Sequence, residues 1–133
     1  MKTCRADIVP YRTKDGSDIR EFMHPSVHGR GFGVARQSLA EATVAPGART
    51  ELHCHQVTEE LYHITAGSGR MTLGDRRFDV AAGDTVCIAP GTPHCIENTG
   101  AAALVLLCMC TPPYDHADTQ LLQAVRDGKA AES

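Results

Sequence analysis

Gly47-Ala48-Arg49-Thr50-Glu51-Leu52-His53-Cys54-His55-Gln56-Val57-Thr58-Glu59-Glu60-Leu61-Tyr62-His63-Ile64-Thr65-Ala66-Gly67 is the stretch on which the fold turns. Thr50 to His55 and Glu60 to Ala66 read as two short strands between turn-forming residues. Side chains two apart in a strand share a face, so His53 and His55 present both imidazoles on one side. In the next strand Tyr62 and Ile64 form an apolar pair that belongs on the core side. Glu60 shares their parity, which selects it over Glu59 as the inward carboxylate. His63 falls on the opposite face.

The same punctuation continues in both directions. Upstream, Ile8 to Thr13 is a candidate strand, and Lys14 to Ser17 is a turn because Asp15-Gly16 readily takes positive φ. Ile19 to Met23 follows, then a loop from His24 to Gly33, then a strand from Gln37 to Val44 that ends at Pro46-Gly47. Downstream, Arg70 to Leu73 and Arg77 to Val80 flank a hairpin turn at Gly74-Asp75-Arg76. Thr85 to Ile88 precedes the tight loop Pro90-Gly91-Thr92-Pro93, after which His94 opens a strand with Ile96 on its own face. Ala103 to Cys110 is an apolar run consistent with a strand buried on both sides or a sheet-to-sheet contact. Thr119 to Arg126, with Leu121, Leu122 and Val125, has the spacing of one short C-terminal amphipathic helix. About ten strands at short spacing predict an all-β jelly roll or related barrel.

His53, His55, Glu60 and His94 together supply three imidazole nitrogens and one carboxylate. That set suits one divalent transition-metal ion such as Mn, Fe, Co, Ni, Cu or Zn. It is too rich in nitrogen for Ca or Mg, which prefer oxygen. Four protein ligands on an ion that can take six leave positions for water, oxygen or a chelating substrate.

The spacing resembles the two motifs of the cupin superfamily. The first motif runs from Gly47 through His53-Cys54-His55 and Glu60 to Gly67, and its counts independently choose Glu60. The second runs from Gly83 through Pro90-Gly91 and His94 to Asn98. One position departs: Ala89 stands where the family usually has proline, while Pro90 and Pro93 still stiffen the turn. The resemblance implies a single small cupin barrel over residues 1–133, with motif 1 at 47–67, motif 2 at 83–98, one metal near its centre and often a homodimer. Cupins of this ligand type include dioxygenases, decarboxylases and isomerases, so fold alone does not choose among them.

Other residues take secondary roles in this reading. Tyr62, His24 and His116 are candidate pocket residues: Tyr62 by its face, His24 on a loop able to fold over a barrel mouth, His116 in the segment after the last strand. Arg36 and Gln37 head an early strand, and one of them is expected to face the pocket. Glu59 and His63 belong to solvent or an interface. Asn98 holds a turn by local hydrogen bonds. No catalytic acid or base beyond the ligands is identified.

Composition sets the bounds. The chain has 133 residues, six cysteines and a formal charge of −3, and at this size about two-thirds of the unfolded surface can be buried. No basic patch suggests nucleic acid, and no apolar run reaches the roughly 18 residues of a spanning helix. Residues 1–7 lack the apolar stretch of a signal peptide, so the expected address is the cytoplasm and the expected state of the cysteines is reduced and buried. The functional expectation is a metal-dependent enzyme acting on a small polar or aromatic molecule, with a dioxygenase-like oxidoreductase favoured. A sugar isomerase- or decarboxylase-type cupin, or a non-catalytic small-ligand binder, is the alternative.

Overall fold

Alternating burial organises the strands of the computed structural model, which describes residues 1–122. The strands are β1 (Tyr11–Arg12), β2 (Asp18–Met23), β3 (Ser38–Val44), β4 (His53–His55), β5 (Glu59–Ala66), β6 (Ser68–Leu73), β7 (Arg76–Ala81), β8 (Thr85–Ile88), β9 (His94–Asn98), β10 (Leu104–Thr111) and β11 (Thr119–Leu121). They form two antiparallel sheets. One runs β1-β2-β3-β10-β5-β8 and the other β11-β4-β9-β6-β7. The inward side chains of both sheets pack into one core that includes Ile64, Met71, Ile88, Ile96, Leu104 and Leu106, all at or below 1% exposure. This is the jelly-roll architecture expected from the strand spacing. None of the described helices is long and apolar enough to cross a membrane.

The predicted boundaries hold within two residues for β5 to β9, but the strand expected over Thr50 to His55 is only His53–His55, and the ends of the chain shift further. Ile8 to Thr13 forms only the two-residue β1, preceded by a 3-10 turn at Arg5–Asp7. The loop from His24 contains one helical turn, α1 (Pro25–His28), and a 3-10 turn at Arg30–Phe32. Ala103 to Cys110 is not buried on both sides. Leu104, Leu106, Cys108 and Cys110 face the core, whereas the alternate residues are half-buried.

The expected C-terminal helix is corrected at its start. Thr119–Leu121 is an extended strand paired antiparallel with β4, Thr119 opposite His55 and Leu121 opposite His53. Pairing to an open strand edge satisfies its backbone groups there, and outweighs the local helical spacing of Leu121 and Leu122. Residues 123–126 of the predicted helix lie outside the described residues. All six cysteines are free, but only Cys54, Cys108 and Cys110 are buried, while Cys95 is half-buried and Cys4 and Cys87 are exposed.

Two motif glycines are required by geometry. Gly67 has φ +84°, and a Cβ there would stand 2.6 Å from the Ala103 carbonyl oxygen. Gly91 has φ +78° and lets its N–H reach the His55 carbonyl at 2.6 Å, tying the second motif's loop to the first motif's strand. Asn98, 1% exposed, donates to the Val44 and Ala102 carbonyls and accepts from Gly100 N–H. Its turn-holding role is as expected, with one added cross-strand bond.

Candidate metal centre

β4 and β9 gather the His53, His55 and His94 rings inside the barrel, and β5 brings Glu60 against two of them. His53 and His94 face each other across the β4–β9 pair, with ring centroids 4.2 Å apart. His53, His55 and His94 each offer a ring nitrogen within 4.8 Å of the other two. Glu60 Oε1 lies 3.2 Å from His55 Nε2 and 3.5 Å from His94 Nε2. All four side chains are buried. Glu59 is exposed, and His63 turns outward to hydrogen-bond the Thr85 hydroxyl at 2.8 Å. The parity argument therefore places Glu60 inward and His63 outward as observed.

The imidazoles are oriented by what their other nitrogens do. His53 Nδ1 donates to the Glu51 carbonyl at 2.7 Å, and His94 Nδ1 donates to the Thr92 carbonyl at 2.9 Å. His55 Nδ1 donates to the Thr119 hydroxyl at 3.0 Å, which in turn donates to the Asp115 carbonyl at 3.0 Å. Each ring thus carries its proton on Nδ1 and turns the Nε2 lone pair inward. Such outer bonds fix the tautomer and raise the basicity of a ligating histidine. Cys110 Sγ–H donates to Glu60 Oε2 at 3.3 Å, which holds the carboxylate from behind.

This geometry fits a cation. His94 Nε2 and Glu60 Oε1 are buried without any hydrogen-bond partner, an arrangement that costs free energy unless something positive lies between them. Burial pushes the Glu60 carboxyl up, but in acid, where the His55 and His94 rings take a second proton on Nε2, their hydrogen bonds and charge outweigh burial and hold it down to about 2. His53 is pushed below its ordinary value by burial and by the His94 ring, against opposition from Asp15. Glu60 therefore stays ionised, and the His53 lone pair stays available further into acid than a free imidazole's.

A cavity of about 40 Å³ opens beside the cluster, walled on one side by inward residues of β2, β3 and β10. Tyr62 lines it, with its ring edge-on to His94 at 5.9 Å and its hydroxyl pushed well up by burial. His24 and His116 do not line it. They lie in an outer groove of about 740 Å³. His24 Nδ1 accepts from Ser26 N–H and Nε2 donates to the Tyr114 carbonyl at 2.6 Å, so it clamps α1 to the segment after β10. His116 is exposed and shares a 3.0 Å hydrogen bond with the Tyr114 hydroxyl. Arg36 and Gln37 precede β3, are exposed and line neither space, because the strand starts one residue later than expected.

Several residues of the site were not singled out from sequence. Asp15 sits at the turn before β2 and brings Oδ2 to 3.5 Å from His53 Nε2. Tyr11 and Glu21 border the cavity, and Thr119 supports His55. Glu21 alone carried a signal: it follows Ile19 by two in a strand whose inward face is apolar.

The Cupin domain family model matches residues 40–110. The chain belongs to the cupin family. It is 50% identical over 123 residues to uncharacterized protein MJ1618 of Methanocaldococcus jannaschii, covering 92% of this chain and 95% of that one. It is 38% identical over 89 residues to the oxalate decarboxylase OxdC of Bacillus subtilis, covering 63% of this chain but only 23% of the decarboxylase. A solved structure of that decarboxylase, described for its Mn(II) centres, superposes with a TM-score of 0.74 at 26% identity, over 89% of this cupin and 31% of that chain. The polyketide cyclase RemF of Streptomyces resistomycificus superposes with a TM-score of 0.76 at 19% identity, over 96% and 89% of the two chains. That last likeness is one of fold.

Proposed function

We propose that this cupin holds one divalent transition-metal ion with His53, His55, His94 and Glu60 and acts on a small molecule bound beside it. The observation that carries the reading is the convergence of inward Nε2 lone pairs on an ionised, partnerless Glu60 oxygen while every Nδ1 is engaged elsewhere. The Mn(II) centres named for the Bacillus decarboxylase support it. When bound, such an ion supplies Lewis-acid polarisation and a template for a chelating substrate, and Mn or Fe adds redox chemistry. The chain's own residues do the rest. Ile96, Leu106 and Cys108 give the cavity an apolar side, and the Nδ1 bonds hold the rings in place.

The reaction class favoured is a dioxygenase-like oxidoreductase acting on a small aromatic or enolic molecule. Three tyrosines, Tyr11, Tyr62 and Tyr114, border the cavity and suit such a guest. A decarboxylase-type lyase is the second reading, favoured by the identity with OxdC over the matched segment. Elemental analysis of protein purified without an affinity metal comes first, with one equivalent of Mn, Fe, Co, Ni, Cu or Zn expected. Oxygen-consumption assays with catechols, diketones and thiols then test the first reaction class, and carbon dioxide release from oxalate tests the second. Metal without turnover in either arm identifies a binder, and absence of metal refutes the site.

A further inference from the structure

The cavity holds a second buried carboxylate that the metal reading does not use. Glu21 occupies the inward position two residues after Ile19 on β2, opposite Ala40 of β3. It is 5% exposed. Its Oε2 accepts from the Tyr11 hydroxyl at 2.9 Å, while Oε1 is buried with no hydrogen-bond partner. A strand face that packs a core would ordinarily carry an apolar side chain there. A bare carboxylate oxygen in such a place is costly unless a donor comes to it. The small side chain of Ala40 leaves space beside it.

Glu21 also stands where two spaces meet. Tyr11, Glu21 and Tyr114 line both the outer groove and the inner cavity, so the route from the groove toward His53, His55 and Glu60 passes them. The charge along that route is of one sign. The described lining residues include Asp15, Glu21, Glu60, Asp115 and Asp118, and none of them is Lys or Arg.

We infer that Glu21, backed by the Tyr11 hydroxyl, is the specificity-determining acceptor of this site, taking a hydrogen bond from a hydroxyl or ammonium group of a neutral or cationic small molecule and turning away carboxylate dianions. The inference rests on the metal reading above and adds the class of guest. A hydrogen bond to an ionised acceptor is stronger than one between neutral groups. A dianion would meet the same carboxylate as a repulsion that offsets its attraction to the ion, and so loses ground to a donor guest, which is how sites reject the wrong partner.

The test uses the full-length protein reconstituted with Mn(II), with catechol as the donor probe and oxalate as the dianion probe, each titrated by calorimetry. Wild type is compared with Glu21→Gln, which keeps the shape, and Glu21→Leu, which also removes the acceptor. Metal stoichiometry is measured first on all three. With one Mn retained, Glu21→Leu is expected to weaken catechol by about tenfold or more, the size of a lost charged hydrogen bond, and to strengthen oxalate. Glu21→Gln should shift the catechol-to-oxalate ratio in the same direction by less, and carries the test if the leucine variant does not fold. An unchanged ratio in a metal-loaded Glu21→Gln overturns the inference and leaves the metal reading standing. Failure of wild type to hold Mn or any other divalent transition ion overturns both.

Discussion

At the residue scale, the site depends on which nitrogen of each ring is committed. His94 has Nδ1 on the Thr92 carbonyl and a partnerless Nε2. His94→Ala should lower affinity for the ion by about 100-fold or more, since even partners of ligands cost 10–100-fold when removed. His63→Ala should leave it unchanged, because His63 faces Thr85 on the outer side. Metal titration of both variants checks the strand parity directly. Thr119→Val removes the acceptor for His55 Nδ1 and should weaken the ion by about tenfold or more, with little loss of fold. The pH dependence follows from the protons involved. Glu60, held down to about 2, stays ionised between pH 7.5 and 5.5 and adds no slope there. Imidazoles ligate only when neutral, so affinity falls as pH drops. The share from His53 sets in below the ordinary histidine value of about 6.5, since its folded pKa is lowered. A lowered His pKa also means that the folded state binds fewer protons, so the apo fold loses stability as pH falls through about 6.5. Metal titrations at pH 7.5, 6.5 and 5.5 should therefore steepen toward acid.

At the scale of elements, what could be read from sequence was whatever rests on local alternation. β5 shows it best: Glu60, Tyr62 and Ile64 point inward while Glu59, Leu61 and His63 do not. The same parity applied to Ile19 and Glu21 would have found the second carboxylate. β11 was hidden because its structure comes from a partner distant in the chain. Its residues pair with β4, and Asp118 accepts from the N–H groups of Val57 and Thr58. None of that leaves a mark in the spacing of Leu121 and Leu122. Asp15 read as a turn residue, and it is one, with Oδ1 accepting from Ser17 N–H and the Thr13 and Ser17 hydroxyls. That its other oxygen meets His53 is a consequence of packing. The turns between strands carry their own prediction. Gly67→Ala combines a positive φ with a clash against the Ala103 carbonyl, and should destabilise by about 2 kcal/mol or more. Gly83→Ala, with positive φ but open space around it, should cost less. Chemical denaturation of the two separates strain from crowding.

At the scale of the whole molecule, the core and the metal cluster are separate sources of stability. Ile64, Met71, Leu104 and Leu106 are fully buried and make an apolar core, so the apo protein should fold without any ion. The outer face of the larger sheet bears on assembly. Leu39, Met109 and Leu61 stand in one row across β3, β10 and β5, half-buried within the chain. We propose that this row pairs with a second copy, the homodimer expected from the family resemblance. Met109→Glu should then give a monomer by light scattering at micromolar concentration, whereas a monomeric wild type would refute the dimer. Stability links this scale back to the residues. An ion that binds the folded chain but not the unfolded one adds about 2.7 kcal/mol at a free concentration 100 times its Kd. The melting temperature should therefore rise when Mn, Fe(II), Ni or Zn is added at pH 7.5. It should rise much less at pH 5.5, where protons compete for the imidazoles. His94→Ala should abolish most of the increment at both pH values, and His63→Ala should preserve it. If His63→Ala removed the metal-dependent rise while His94→Ala kept it, the ion would sit outside the barrel and the ligand set would have to be redrawn around the outer face of β5.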